Sequence, residues 1–183
     1  MRIAVDLDGT IFKTYEFAVK NLKKETGKKY DLKNMAFGDC DKETRKWFDN
    51  YFKTEKSIEV PPYEDAIEIL QKIQQDDELA FITSRPKNLE EKTLKIMRGM
   101  GFWDVFFVPR KKRVDFLKAL GVDLYIDDEL DTCLKASERG IPTIMMAREW
   151  NNKKYLGNKN LIKVYDWADV FYLIRIVAWN KNN

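Results

Sequence analysis

The chain contains no histidine. That absence removes Ser-His-Asp and Cys-His nucleophile schemes and every histidine-bearing zinc site. Cysteine is nearly missing as well. Cys40 and Cys133 are the two present, too few for a disulfide framework, and Cys133 falls on an apolar helical face. A buried free thiol in a reducing, cytoplasmic compartment is therefore expected. No apolar run approaches the roughly 18 residues that cross a bilayer, so no membrane partner is expected. The first run, Ile3-Ala4-Val5, is too short for a signal peptide. Nor is charge of one sign in excess. The 33 basic and 30 acidic residues leave a net charge of +3, which argues against a polynucleotide partner. What remains for chemistry is carboxylates, hydroxyls, amines and a metal ion.

The 183 residues suffice for one compact domain with a small insertion. From residue 62 onward, helical periodicity alternates with short apolar runs. Ala66, Ile69, Leu70 and Ile73 stand at i, i+3, i+4 and i+7, the signature of one helix face, and Leu79 to Ile82 reads as a buried strand. Asn88 and Glu91 read as a capping box opening a helix that Gly101 ends. Val105 to Val108, Leu124 to Ile126 and Thr143 to Met146 read as further strands. Helices carrying Leu117 and Cys133 separate them, and Asp166 caps a last helix with Val170, Ile174 and Val177 inward. Strands alternating with helices imply an α/β fold, a doubly wound parallel sheet.

Residues 13–61 break the alternation. Tyr15, Val19 and Leu22 mark one helix and Trp47, Phe48, Tyr51 and Phe52 another, with Gly27, Gly38 and Pro61-Pro62 as punctuation. The expected division is a core of residues 1–12 and 62–183 with a helical cap inserted at 13–61. The cap's aromatic residues read as its own small core.

The first strand ends in Val5-Asp6-Leu7-Asp8-Gly9-Thr10, two carboxylates one residue apart. Two more strand ends are polar: Thr83-Ser84-Arg85 follows the second strand and Asp127-Asp128 the fourth. Doubly wound sheets bind ligands at the carboxyl ends of their strands. Carboxylates gathered there repel one another unless a hard divalent cation lies between them, and Mg²⁺ suits an all-oxygen site. A carboxylate beside Mg²⁺ can attack phosphorus. Asp6 is the candidate nucleophile, forming an aspartyl phosphate, and Asp8 the candidate general acid and then base. Gly9 lets backbone approach a phosphate and Thr10 holds the loop. Thr83, with Ser84 beside it, would donate a hydroxyl to a phosphoryl oxygen, and a lysine would neutralise developing charge.

Asp6-Leu7-Asp8-Gly9-Thr10, Thr83 after an apolar strand, a basic residue ahead of a strand and Asp127-Asp128 after it resemble the four motifs of haloacid-dehalogenase-like (HAD) phosphatases. The resemblance implies that Asp6 and Asp127 bind Mg²⁺ through side chains and Asp8 through its main-chain carbonyl, with Asp128 or Asp131 in support. It also implies that the insertion at 13–61 is a C1-type cap. Within that superfamily the chain is most similar to 5'(3')-deoxyribonucleotidases and their bacterial relatives. The small cap, the Pro62-Tyr63-Glu64-Asp65-Ala66 helix opening, Thr83-Ser84-Arg85-Pro86, Tyr125-Ile126-Asp127-Asp128 and Val164-Tyr165-Asp166-Trp167 carry that likeness. It implies a nucleoside monophosphate substrate. For the family's lysine, Lys112 is the choice, with Lys111, Arg113 and Lys92 as rivals.

Arg85, ahead of Pro86, is expected to face solvent, and Trp150-Asn151 is not expected to line a site. Asp128 and Asp131 can equally serve as helix caps favouring the dipole. A sugar-phosphate or other small-metabolite phosphatase is the alternative within the same chemistry. A receiver-like, non-catalytic phosphate-sensing module is the alternative outside it, disfavoured because Asp8 stands two residues beyond the acceptor.

Overall fold

In a computed structural model describing residues 1–34, 40–151 and 160–182, with side chains of the last helix described to residue 176, six parallel strands form one sheet. The strands are β1 (Arg2–Asp6), β2 (Glu78–Thr83), β3 (Val105–Phe107), β4 (Leu124–Asp127), β5 (Thr143–Met146) and β6 (Leu161–Val164). The helices are α1 (Thr14–Thr26), α2 (Lys42–Tyr51), α3 (Ala66–Ile73), α4 (Glu90–Gly99), α5 (Arg113–Ala119), α6 (Leu130–Glu138) and α7 (Trp167–Asn182). The expected α/β, doubly wound parallel sheet is what the chain forms.

Sheet order is β3-β2-β1-β4-β5-β6. After β1 the chain builds outward through β2 and β3, then crosses back and builds the other way from β4. The strand order therefore reverses at β1, between β2 and β4, the point where such sheets open a crevice. Register aligns the polar strand ends: Asp6 pairs with Ile82, one residue before Thr83. Val5 pairs with Ile126, so Asp6 and Asp127 leave adjacent strands side by side.

Apolar spacing accounts for the layers. Ile3, Ala4 and Val5 are fully buried, as a central parallel strand covered on both faces requires. Ala66, Ile69, Leu70 and Ile73 are all buried and turn α3 onto the sheet. α7 lies on that same face, with Val170 and Ile174 in the same core cluster. Tyr125, Leu117 and Ala136 belong to a cluster with Ala4 and Ile82, where α5 and α6 pack.

Three local expectations change. β6 is an additional strand, because Leu161-Ile162-Lys163-Val164 alternates too weakly to stand out from the polar stretch before it. Asn88 does not cap a helix: Lys87–Leu89 is a 3-10 turn, and the Asn88 amide donates to the Lys53 carbonyl at 2.8 Å. β3 stops at Phe107, although the Val108 amide still donates to the Thr83 carbonyl at 2.8 Å. The cap at Asp166 is as expected, its carboxylate accepting from the Asp169 amide at 2.8 Å.

Residues 13–61 leave and return at one point. Phe12 and Pro62 form an isolated bridge, the Lys13 amide donates to the Pro61 carbonyl at 3.0 Å, and the Tyr63 amide donates to Ile11 at 2.8 Å. Asp41 caps α2 by accepting from the amides of Glu43 and Thr44. Ala18, Leu22, Phe48 and Tyr51 form an apolar cluster of their own, which Trp150 joins from the segment after β5. Gly38 and the side chain of Val177 lie outside the described residues. No helix among the described residues is long and apolar enough to cross a membrane. Cys133 is buried and Cys40 half-buried, both as free thiols.

Candidate active site

Residues from the ends of β1, β2 and β4 line one cavity of about 320 Å³. Asp6, Asp8, Ser84, Asp127 and Asp128 all face it, and Arg113 enters from the first turn of α5. Among the described residues, Asp6, Asp127 and Asp128 are buried and can each offer a carboxylate oxygen within 4.8 Å of the others.

Three acids share that pocket with one close guanidinium. Arg113 Nη1 lies 2.8 Å from Asp6 Oδ1 and 3.1 Å from Asp127 Oδ2, while its Nη2 donates to Ser84 Oγ at 2.8 Å. Burial pushes Asp6 well above the usual carboxylate range. Arg113 opposes this, and the charges of Asp127, Asp128 and Asp8 add to it. Burial also raises Asp127, against Arg113 and a hydrogen bond from Tyr125. Asp128 is pushed up to about 7 by burial and by Asp127, despite donors Trp150 Nε1 at 2.6 Å and Thr10 Oγ1 at 2.9 Å. All three acids thus hold their protons more tightly than free carboxylates do. Ionised, they carry more negative charge than Arg113 alone balances, and such a group of oxygen donors fits a hard divalent cation such as Mg²⁺.

Asp8 meets the opposite environment. Its carboxylate accepts Arg85 Nε at 2.9 Å, Arg85 Nη2 at 2.7 Å and the Thr14 hydroxyl at 2.7 Å. Burial would raise it, but Arg85's charge and these bonds outweigh burial and leave it below its ordinary value. Its side chain is therefore engaged away from the three-carboxylate group, and its backbone carbonyl is the donor it has to spare.

The loop between Asp6 and Phe12 is built to hold these positions. Ile11 and Phe12 amides both donate to the Leu7 carbonyl at 2.9 Å. Gly9 sits at φ +86°, and a Cβ there would come within 2.5 Å of Asp128 Oδ2 and 2.7 Å of Tyr15 Cε2. Only glycine suits that close approach. Arg148, after β5, donates to the Gly9 carbonyl at 2.7 Å while stacking on the Tyr63 ring. Asn151 Nδ2 holds the Asp128 carbonyl at 2.6 Å.

Of the residues singled out by sequence, Asp6, Asp8, Ser84 and Asp127 meet at the cavity. Thr83 does not line it. Thr83 is fully buried and its Oγ1 accepts from the Arg85 amide at 3.1 Å, so the hydroxyl at the cavity wall is Ser84's. Lys112 is exposed on the 3-10 turn before α5 and outside the lining. The helix that starts one residue later turns Arg113 inward, which corrects the expected cation. Lys92 pairs instead with Glu55, at 2.6 Å, and with Glu59. Asp131 lines the rim, exposed. Three residues were missed. Arg85 is buried against Asp8 rather than solvated, and Trp150 and Asn151 hold Asp128 from a 3-10 turn. For the first no local signal exists, because its carboxylate partner lies 77 positions away. The turn had none.

No family model matches the chain. It is 23% identical over 183 residues to a nucleotidase of Clostridium acetobutylicum, covering 95% of this chain and 93% of that one. Among solved structures it is similar to a HAD-superfamily hydrolase from Ehrlichia chaffeensis, with TM-score 0.62, 13% identity and 97% of each chain covered. It is also similar to the Bacillus subtilis protein YfnB, described as a HAD-hydrolase and solved bound to magnesium, with TM-score 0.62 and 13% identity over 95% of this chain and 98% of that one. The chain has the HAD fold.

Proposed function

We propose that this HAD-fold chain is a Mg²⁺-dependent phosphomonoesterase that works through an aspartyl phosphate on Asp6 and acts on a nucleoside monophosphate. The observation carrying this reading is the buried group of three carboxylates, Asp6, Asp127 and Asp128, in one cavity that Asp8 also lines. The similarity to a nucleotidase over nearly the whole chain supports the substrate.

Asp6, Asp127 and Asp128, with the Asp8 carbonyl, would hold the cation, which when bound screens the repulsion between the Asp6 carboxylate and a phosphate dianion. Asp6 attacks phosphorus, forming the carboxyl-phosphate bond as the ester oxygen departs. Asp8 gives its proton to that oxygen, which leaves as an alcohol. An anionic phosphate brought beside Asp8 favours the protonated form there, against the pull of Arg85. Water then attacks the aspartyl phosphate and yields a proton to Asp8, so phosphate leaves and both aspartates are restored. Arg113 donates to the phosphoryl oxygens from the cavity wall, and the Ser84 hydroxyl joins it by turning from the Val108 carbonyl, to which it donates at 3.2 Å. Residues 13–61 serve as the cap that selects the leaving group, with Tyr15 and Phe52 facing a side cavity next to Asp8. The two free thiols fit a reducing cytoplasm.

Phosphate release from a panel of deoxy- and ribonucleoside monophosphates and sugar phosphates tests the substrate. Preference for nucleotides is expected. Release from sugar phosphates alone would keep the chemistry and move the substrate to the alternative, and release from no ester would remove the phosphatase reading.

A further inference from the structure

Arg85 makes contacts that the chemistry above does not use. Its side chain is 3% exposed. Nε and Nη2 form a fork on the Asp8 carboxylate, Nη1 reaches toward Thr93 Oγ1 at 3.4 Å, and the guanidinium lies over the Phe12 ring at 5.3 Å. Both Asp8 oxygens are thereby taken by Arg85, and Oδ1 also accepts Thr14, the first residue of α1. Asp8 is only two residues along a loop from Asp6, yet it is held by groups from β2's end and from the start of α1. Without the fork the Thr14 hydroxyl alone would hold its side chain.

We infer that Arg85 is a positioning residue that fixes the Asp8 carboxyl group at the leaving-group side of the cavity, with Thr14 as the second point of the grip. The inference rests on the phosphatase reading. Asp8 moves one proton to the departing ester oxygen as the P–O bond breaks, and that transfer needs the carboxyl group within hydrogen-bond reach of the oxygen. A side chain that wanders loses it. Arg85 is not among the residues lining the cavity of the three carboxylates. A planar two-point fork holds a carboxylate orientation that a single ammonium cannot, so lysine in its place supplies the charge without the direction.

The test compares two leaving groups in the same protein preparations. Wild type, Arg85→Lys, Arg85→Gln and Thr14→Val are compared with Mg²⁺ in single turnovers, reading leaving-group release before water attacks the aspartyl phosphate, on p-nitrophenyl phosphate, whose phenolate leaves without a proton, and on the alkyl phosphomonoester that the wild type cleaves best. In the Arg85 variants the single-turnover rate of leaving-group release is expected to fall ~10²-fold or more on the alkyl ester, and by less than about tenfold on the aryl ester, with the half-saturating substrate concentration little changed. Thr14→Val, a change of one side-chain atom, is expected to show the same selective loss in smaller degree. It keeps the test decisive if the Arg85 variants melt early. Equal losses on both esters, or no loss on either, in variants that stay folded would overturn the inference while leaving the phosphatase reading intact. A wild type that cleaves only the aryl ester would also overturn it. A wild type that cleaves neither would remove both.

Discussion

Asp6 and Asp8 are two residues apart and are driven in opposite directions, Asp6 upward by burial among like charges and Asp8 downward by Arg85 and Thr14. Without a cation these directions leave the proton on Asp6 and Asp8 ionised, and a divalent cation held by the cluster would favour the ionised Asp6 that attack on phosphorus needs. The cation in contact with Asp6 is Arg113, at 2.8 Å, and the choice between it and Lys112 for the reaction is open to a direct test. Arg113→Ala is expected to lower kcat by roughly 10²–10³-fold, the loss typical of a donor to developing negative charge. Lys112→Ala, at an exposed position, is expected to stay within about twofold, the range of a neutral surface change. Steady-state kinetics with Mg²⁺ on purified variants decides it. A larger loss at Lys112 would return the role to the spacing-based choice. Sequence placed the four strand-end acids correctly because they follow directly from strands, whose ends are marked by the end of an apolar run. It could not rank Lys111, Lys112 and Arg113. Which of three neighbours points inward depends on the residue at which α5 begins, and a 3-10 turn shifts that start.

At the scale of elements, the β1 loop and its partners set the geometry. Gly9→Ala places a side chain at φ +86°, worth about 1–2 kcal/mol in strain by itself. The clash with Asp128 and Tyr15 adds to that. A lower melting temperature is expected, by about 2–4 °C for each kcal/mol in a chain of this size, together with weakened Mg²⁺ binding because Asp128 is the group displaced. An unchanged melting curve would mean the loop relaxes freely. Elements with strong periodicity, such as α3, were legible because tertiary packing and local pattern agree. β6 was not, since as an edge strand it exposes Ile162, leaves Lys163 half-buried and needs no buried run. Arg85 was not legible as buried because its partner, Asp8, lies 77 positions away in sequence.

For the whole molecule, the acidic cluster is expected to make stability depend on pH and, under the proposed function, on metal. An unfolded aspartate ionises near 3.8, whereas Asp128 in the fold keeps its proton up to about 7. Between those values the folded state binds more protons than the unfolded one. The stability contributed by the protonated group is full below the lower value and is lost as pH rises through the upper one. Asp6 and Asp127 shift in the same direction. In EDTA the melting temperature is therefore expected to fall between pH 4 and 7 on account of these groups, and Mg²⁺, which binds the ionised cluster, should raise it most at the upper end. Thermal melts across that range, with and without Mg²⁺, check this, and Asp128→Asn should flatten the metal-free slope. A slope of the opposite sign that persists in Asp128→Asn would contradict the assignment of the cluster as the pH-dependent element.

The most direct measurement is phosphate release from deoxynucleoside monophosphates by the wild-type protein and by Asp6→Asn, each with Mg²⁺ and with EDTA. Release by the wild type with Mg²⁺, abolished by EDTA and by the substitution, is the expected result. Release that persists in EDTA, or that survives Asp6→Asn, would contradict a metal-assisted attack by Asp6.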